Sequence, residues 1–151
     1  MPHETYMQRA IELASNAARE GEVPIGAVLV HENRILAEGL NQREALLRTS
    51  AHAEMLALEE FNDEARTWRL PAGTSLYTTL EPCTMCTGAL LWARLENIYF
   101  AAADPKNAGL LRIIPLIEQG IYDHRFKIVQ GGLLEEASQK LLRDFFSVRR
   151  N

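Results

Sequence analysis

The sequence lacks the features of a membrane, secreted or disulfide-linked protein. Its longest apolar stretches, such as GALLWA, fall far short of the roughly 18 residues that a membrane helix needs. The first twenty residues carry Glu4 and Glu12 and have no apolar centre of the kind found in secretory signals. The two cysteines, Cys83 and Cys86, are separated by two residues, so they form no disulfide framework. We therefore expect a cytoplasmic protein in which this pair has a local role.

An excess of positive charge is also missing. The net charge of −4 and the sequence pI of about 5.6 argue against a protein that coats nucleic acid by bulk electrostatics. A local basic patch can still form near the C-terminus, where Lys140, Arg143, Arg149 and Arg150 accompany a single acid, Asp144. The same composition is typical of a solvated helix face whose basic last turn complements the helix dipole.

Length and composition favour one globular domain. The chain has 151 residues, of which 47% are hydrophobic and 24% charged, and it contains no low-complexity tract or internal repeat. A chain of this length buries roughly two-thirds of the surface that it would expose when unfolded. We expect residues 1–151 to form a single domain around one core.

Apolar periodicity and turn residues predict alternating helices and strands. Two strands joined through a helix with Pro82 at its first position indicate a parallel pair with a right-handed crossover. The expected fold is α/β, a three-layer sandwich in which a mixed sheet of about five strands carries helices on both faces. The expected elements are a helix over 5–19, a hairpin of strands over 24–31 and 34–41, a loop over 42–50, a helix from about 50 to 61, a strand over 74–80, a helix from about 83 to 95, a strand over 97–103, a helix over 110–119, a strand over 126–130 and a helix from about 133 to 149.

Two segments near predicted helix starts hold metal-binding chemistry. Cys83 and Cys86, spaced i and i+3, place both sulfurs on one helix face, and His52 is the third ligand that the sequence offers. One nitrogen and two thiolates make a catalytic zinc pattern, with the fourth tetrahedral position open for water. Zinc lowers the pKa of water from 15.7 to about 7. We expect Glu54 to take that proton and return it to the substrate.

Other roles for the cysteine pair have less support. For a redox dithiol we would expect the sequence context aromatic-Cys-Gly-Pro-Cys, whereas this sequence reads Pro-Cys-Thr-Met-Cys. A closed structural zinc site needs a fourth ligand. The remaining histidines offer little, because His3 lies in a tail, His31 lies beside a turn and His124 lies in a loop.

His-Ala-Glu followed by Pro-Cys-x-x-Cys is the signature of zinc nucleobase deaminases. Over nearly its whole length, the chain resembles the bacterial tRNA-specific adenosine deaminases of the cytidine deaminase-like superfamily. The segments that carry the resemblance are GEVPIGAVLV, the asparagine at 41, AHAEMLAL, LYTTLEPCTMC, ADPK, DHR and DFFSVRR.

The resemblance implies hydrolytic conversion of adenosine to inosine at the wobble position of a tRNA anticodon. It implies one zinc ion per subunit, held by His52, Cys83 and Cys86, with Glu54 as the catalytic proton shuttle. It also implies a homodimer that contacts the anticodon loop of the tRNA.

Further substrate contacts follow from the resemblance alone. Asn41 would contact the flipped nucleotide, and Asp104 would lie near the adjoining ribose. The C-terminal helix, with Phe145, Phe146, Arg149 and Arg150, would lie against the anticodon loop. Each has a plainer interpretation: Asn41 as the end of a strand, Asp104-Pro105 as a turn, and the phenylalanines as core.

Two segments depart from the family pattern. After Asp104-Pro105-Lys106 the family runs through small residues, whereas here residues 107–113 read NAGLLRI. Arg48-Thr49-Ser50 stands where the family has Asp-Pro-Thr. A bulkier, more apolar rim could admit an RNA loop or close over a free base or nucleoside, such as guanine or cytosine, which makes a small-molecule deaminase the alternative. A zinc protein that binds RNA without turnover is a third class, which Glu54 disfavours.

Overall fold

The structure, a computed structural model, describes residues 2–107 and 109–149. Helices and strands alternate as the sequence predicts. The elements in chain order are α1 (His3–Arg19), β1 (Gly26–His31), β2 (Arg34–Leu40), α2 (Arg43–Leu46), α3 (Ala53–Ala65), β3 (Ser75–Leu80), α4 (Thr84–Trp92), β4 (Asn97–Ala102), α5 (Leu110–Glu118), β5 (Ile128–Gln130) and α6 (Glu135–Arg149).

The strands form one mixed sheet in the order β2-β1-β3-β4-β5. Strand β1 pairs antiparallel with β2 and β3, while β3, β4 and β5 run parallel. Helix α4 makes the connection between the parallel strands β3 and β4. The predicted α/β fold with a five-stranded mixed sheet is therefore confirmed.

Helices cover both faces of the sheet and give three layers. On one face, apolar residues of α3, α4 and α5, such as Phe61, Leu90 and Ile117, pack against the sheet in one buried cluster. On the other face, α1 contributes Met7 and Ala10 to a second cluster, and α6 packs against α1 and β4. None of the helices within residues 2–107 and 109–149 has both the length and the apolar character that crossing a membrane requires.

The predicted hairpin is closed by Glu32 and Asn33. Both residues have positive φ angles, 50° and 60°. Two consecutive residues in this region form the type I′ turn, whose twist matches that of the flanking strands. The short polar link in the sequence therefore sets the register in which His31 lies opposite Arg34.

Several predicted boundaries are corrected by the structure. Pro82 lies before α4, because Cys83 has extended φ and ψ angles and caps the helix. The predicted loop over 42–50 contains the short helix α2, whose second and third N–H groups donate to the buried carboxylate of Glu22. The last strand is shorter than predicted, covering three residues only.

Gly39 of β2 is where the sheet meets α3, so Gly39→Ala is expected to be strongly destabilising. A Cβ atom here would overlap the carbonyl oxygen of Ala53 and lie 2.7 Å from the nitrogen of Ala57. Because both are helix backbone atoms, α3 must move, and we expect a loss of about 3 kcal/mol in the free energy of unfolding. Urea unfolding measures the loss.

The matched control is Gly88→Ala in α4, where nothing lies within 4 Å of an added Cβ. Alanine is favoured over glycine inside a helix by roughly 0.5–1 kcal/mol, so this variant should be as stable as the parent or slightly more so. Equal urea midpoints for the two variants would show that β2 and α3 are not in such close contact.

Candidate metal centre and active site

Three predicted ligands converge at the starts of two helices. His52 is the N-cap of α3 and Cys83 is the N-cap of α4, both with extended backbone angles, while Cys86 lies in the first turn of α4. The His52 side chain makes no capping bond to α3, and its Nδ1 atom faces both sulfurs. His52 precedes α3 rather than lying on its first turn, and the two N-cap side chains turn toward a shared centre.

The distances between the ligand atoms fit a tetrahedral zinc ion. The Nδ1 atom of His52 lies 3.5 Å from the Sγ atom of Cys83 and 3.6 Å from that of Cys86. Zinc bonds of about 2.3 Å to sulfur and about 2.1 Å to nitrogen, at the tetrahedral angle, give a nitrogen–sulfur separation of about 3.6 Å. The donor set and its spacing therefore fit one zinc ion.

In the part of the chain that the structure describes, no fourth histidine, cysteine, aspartate or glutamate joins this group, whose donor atoms all lie within 4.8 Å of one another. The other histidines are engaged elsewhere. His3 bonds to the Tyr77 hydroxyl, His31 to a backbone carbonyl and His124 to another. Three protein ligands leave one tetrahedral position for water, which is typical of a catalytic site.

The two thiols differ in acidity because they share a hydrogen bond. The Cys86 thiol holds the pKa of Cys83 down to about 4, and His52 lowers it further. The pKa of Cys86 is raised, first by its hydrogen bond to Cys83 and then by burial. The Cys83 thiolate is the form in which cysteine binds a metal.

Glu54 lies in the first turn of α3 and is only 4% exposed. Burial raises its pKa to about 7, while a hydrogen bond from its own backbone N–H and, less strongly, one from the Cys86 thiol act in the opposite direction. A carboxyl group with a pKa near neutrality suits both steps of proton transfer, because it can accept a proton and release it. The structure thus brings Glu54 beside the three ligands.

Glu81 is a buried carboxylate that the sequence analysis missed. It is 3% exposed, and its two oxygens accept hydrogen bonds from the backbone N–H groups of Asp104 and Leu111, each at 3.1 Å. It therefore ties the loop after β4 and the start of α5 to the segment that carries Cys83. The signal for it was an acid at the end of a buried strand, directly before Pro82.

Asn41 and Asp104, the predicted substrate contacts, both make local hydrogen bonds. Asn41 is 4% exposed, donates to the carbonyl of Val23 and accepts from the N–H of Arg43, each at 3.3 Å. The Oδ1 atom of Asp104 accepts the N–H groups of the second and third residues after it, both at 3.1 Å. These bonds hold both side chains in fixed positions.

The C-terminal helix places its aromatic residues differently. Phe145 is 7% exposed and Phe146 is 45% exposed. The Arg149 guanidinium lies 3.6 Å from the centre of the Phe145 ring. Lys140 is paired with Asp144 at 2.6 Å, so the basic patch has less free charge than its composition suggests. The predicted contact at Arg150 lies outside the described residues.

The segment that departs from the family pattern packs mostly inward. Leu110 is fully buried, and Ile113 and Ile114 pack against the larger apolar cluster, although Leu111 is 47% exposed. A pocket of about 340 Å³ opens next to Cys83. Its lining comprises Cys83, Thr84, Met85, Lys106, Asn107 and Arg112. The rim thus includes two basic side chains and an amide as well as the apolar groups that the sequence suggested.

Comparisons with known proteins agree with this geometry. The tRNA-specific adenosine deaminase of Bacillus subtilis (strain 168) is 43% identical over 147 residues, covering 97% of this chain and 91% of that protein. A structure solved in studies of A-to-I editing by tRNA:A34 deaminases at the wobble position has a TM-score of 0.84 at 36% identity, covering 91% of this chain and 99% of that one. A guanine deaminase from Nitrosomonas europaea has a TM-score of 0.74 at 25% identity, covering 95% of this chain and 84% of that one.

A family model covers the part of the chain in which all three ligands lie. Residues 1–102 match the model described as the cytidine and deoxycytidylate deaminase zinc-binding region. His52, Cys83 and Cys86 fall within it and meet at one centre. The chain therefore belongs to the cytidine and deoxycytidylate deaminase family of zinc enzymes.

Proposed function

We propose that the protein is a hydrolytic adenosine deaminase that converts adenosine to inosine at the wobble position of a tRNA anticodon. The observation that carries the proposal is the meeting of three zinc donors at tetrahedral spacing beside the buried Glu54. The substrate rests on the near full-length relative from Bacillus subtilis, which is named a tRNA-specific adenosine deaminase. Residues 1–151 would act as a single catalytic domain in the cytoplasm.

In this proposal Glu54 moves the protons of the reaction. His52, Cys83 and Cys86 would hold zinc, which when bound supplies Lewis-acid activation of water. Glu54 accepts a proton from the water that attacks C6 of adenine and delivers it to the ring nitrogen. Glu54 then moves the second proton of that water from the new C6 hydroxyl to the amino group as the C6–N bond breaks, so adenosine and water become inosine and ammonia. Burial of Glu54 keeps bulk water from competing for the proton.

Asn41 and Asp104 are proposed to position the substrate. The hydrogen bonds from Asn41 to Val23 and Arg43 fix its amide, and a fixed group spends little free energy on ordering when it binds a flipped nucleotide. Asp104 lies in the loop after β4, which Glu81 anchors beside the metal centre. From this loop it would approach the adjoining ribose.

An anticodon loop suits this protein because its bases are already unpaired. Flipping a base costs a few kcal/mol, and least where the base is unpaired. The proposed contacts on α6 are Phe145 and Arg149: the buried Phe145 ring supports the Arg149 guanidinium, and arginine stacks on unpaired bases. The stacked pair that these residues form would offer the guanidinium to the RNA. We further propose that the protein acts as a homodimer.

The test is a substrate panel run with the zinc-loaded protein. We expect inosine to form in a tRNA with adenosine at the wobble position. We expect no turnover of free adenosine, or of guanine, cytosine and the nucleosides of these two bases. Digestion of the tRNA to nucleosides followed by chromatography measures the inosine. The same tRNA with guanosine at the wobble position is the control and should remain unchanged. Turnover of guanine or cytosine with the tRNA untouched would replace this function with that of a small-molecule deaminase.

A further inference from the structure

The pocket beside Cys83 has a concentration of positive charge that the zinc chemistry does not use. Lys106 and Arg112 are both exposed and both line it, together with the amide of Asn107. Among the described residues, neither cation forms an ion pair with a carboxylate, so both charges are available to an anion. The whole chain has a net charge of −4, so these two cations form a local positive site on an acidic protein.

Two carboxylates bonded to the segment that carries these cations, Asp104 and Glu81, accept hydrogen bonds from backbone groups. Asp104 accepts two N–H groups of its own turn with Oδ1, and Glu81 is buried with both oxygens bonded to backbone nitrogens. Neither of them lines the pocket. Of the residues described, no carboxylate lines the pocket, and its one other ionisable group, Cys83, would be neutralised by zinc, so two cations and the amide of Asn107 are left to suit an anion.

The backbone that carries these cations is fixed against the metal centre. The N–H of Leu110 donates to the carbonyl of Pro82 at 3.1 Å. Gly109 packs so closely on Thr84 that an added Cβ would overlap the Thr84 nitrogen. Arg112 follows two residues after Leu110 in the first turn of α5. Its charge is thus held at the edge of the active site.

We propose that this pocket is a phosphate subsite, in which Arg112 and Lys106 bind a backbone phosphate next to the target adenosine. This inference rests on the proposed function and specifies how the site holds an RNA strand. The planar guanidinium of arginine matches two phosphate oxygens, and lysine adds a point charge. A free base has no phosphate, so the subsite gives an advantage to a polynucleotide and none to guanine or cytosine.

The first test measures RNA binding in a Glu54→Ala background, which prevents turnover. The ligand is a stem-loop RNA with the anticodon sequence, and its dissociation constant is measured over a range of salt concentrations. Arg112→Ala is expected to weaken binding about tenfold at low salt and to reduce the slope of log K against log salt by about 0.7, the value for one phosphate contact on a single strand. Arg34→Ala is the control, because Arg34 is also exposed but lies at the hairpin turn of β2. Equal effects of the two substitutions would overturn the subsite.

The second test locates the phosphate. A set of stem-loops is made, each with one neutral methylphosphonate at a different position flanking the adenosine. Deamination of each stem-loop is measured with the parent enzyme and with Arg112→Ala. At one of these positions, the neutral linkage should raise the KM of the parent about tenfold and change the KM of Arg112→Ala little, because the variant has already lost the contact. If every neutral linkage affects both proteins alike, the subsite is wrong while tRNA deamination stands. If the parent fails to deaminate the unmodified stem-loop and the tRNA, the proposed function falls first, and this inference falls with it.

Discussion

Glu54→Gln is expected to retain zinc and to lose 10²- to 10⁴-fold in kcat, the range typical of a positioned general acid or base. Glutamine has nearly the same shape as glutamate, so it should occupy the buried position in the first turn of α3 without leaving a cavity. It has no basic oxygen of comparable strength and cannot pass a proton from water to the ring nitrogen. Single-turnover deamination rates of the zinc-loaded proteins measure the loss.

The matched control for Glu54→Gln is Glu64→Gln, which makes the same change on an exposed residue of the same helix. The control should keep its rate and its zinc. Metal content per chain must be measured for all three proteins, since loss of zinc would also abolish activity. A Glu54→Gln enzyme with one zinc per chain and near-normal turnover would remove Glu54 from the mechanism.

The fold was predictable because local sequence signals agree with the long-range arrangement. Alternating apolar runs around Glu32-Asn33 indicated the hairpin, and a strand, helix and strand through residues 74–103 indicated a parallel pair. Boundaries were less predictable, since the backbone angles of His52 and Cys83 decide where α3 and α4 begin. Both are N-caps, a distinction of one residue that sequence periodicity does not resolve.

The zinc ligands were predictable from spacing and chemical type, whereas the supporting residues were not. Glu81 has a role only because the loop after β4 returns to bond its carboxylate, a contact that spans 23 to 30 residues in sequence. Leu110 looked like a bulky rim residue, but it points into the core. Its inward packing leaves Arg112 at the pocket. The orientation of Leu110 and Arg112 depends on tertiary packing, about which the amino-acid sequence gives little information.

Cys86→Ser is expected to abolish stable zinc binding and, with it, at least 99% of the activity. Cys86 is fully buried, and its sulfur lies 3.6 Å from the Nδ1 atom of His52, where it would supply one corner of the zinc tetrahedron. A serine hydroxyl is shorter and stays protonated near neutral pH, so it provides neither the negative charge nor the long bond that zinc takes from a thiolate. Metal analysis after gel filtration should give about one zinc per chain for the parent and a small fraction of that for the variant.

A stability measurement separates loss of zinc from a damaged fold. Because zinc binds the folded chain, saturating it at about 1,000 times the dissociation constant should raise the parent's free energy of unfolding by about 4 kcal/mol. Cys86→Ser should show almost no change on adding zinc, while Gly88→Ala, a substitution on the same helix with open space around it, should respond like the parent. Chelation should remove the zinc-dependent increase in the parent's free energy of unfolding. Adding zinc again should restore this increase in the parent and not in Cys86→Ser. A variant that holds one zinc per chain and responds to it as the parent does would show that the Cys86 thiolate is not a ligand.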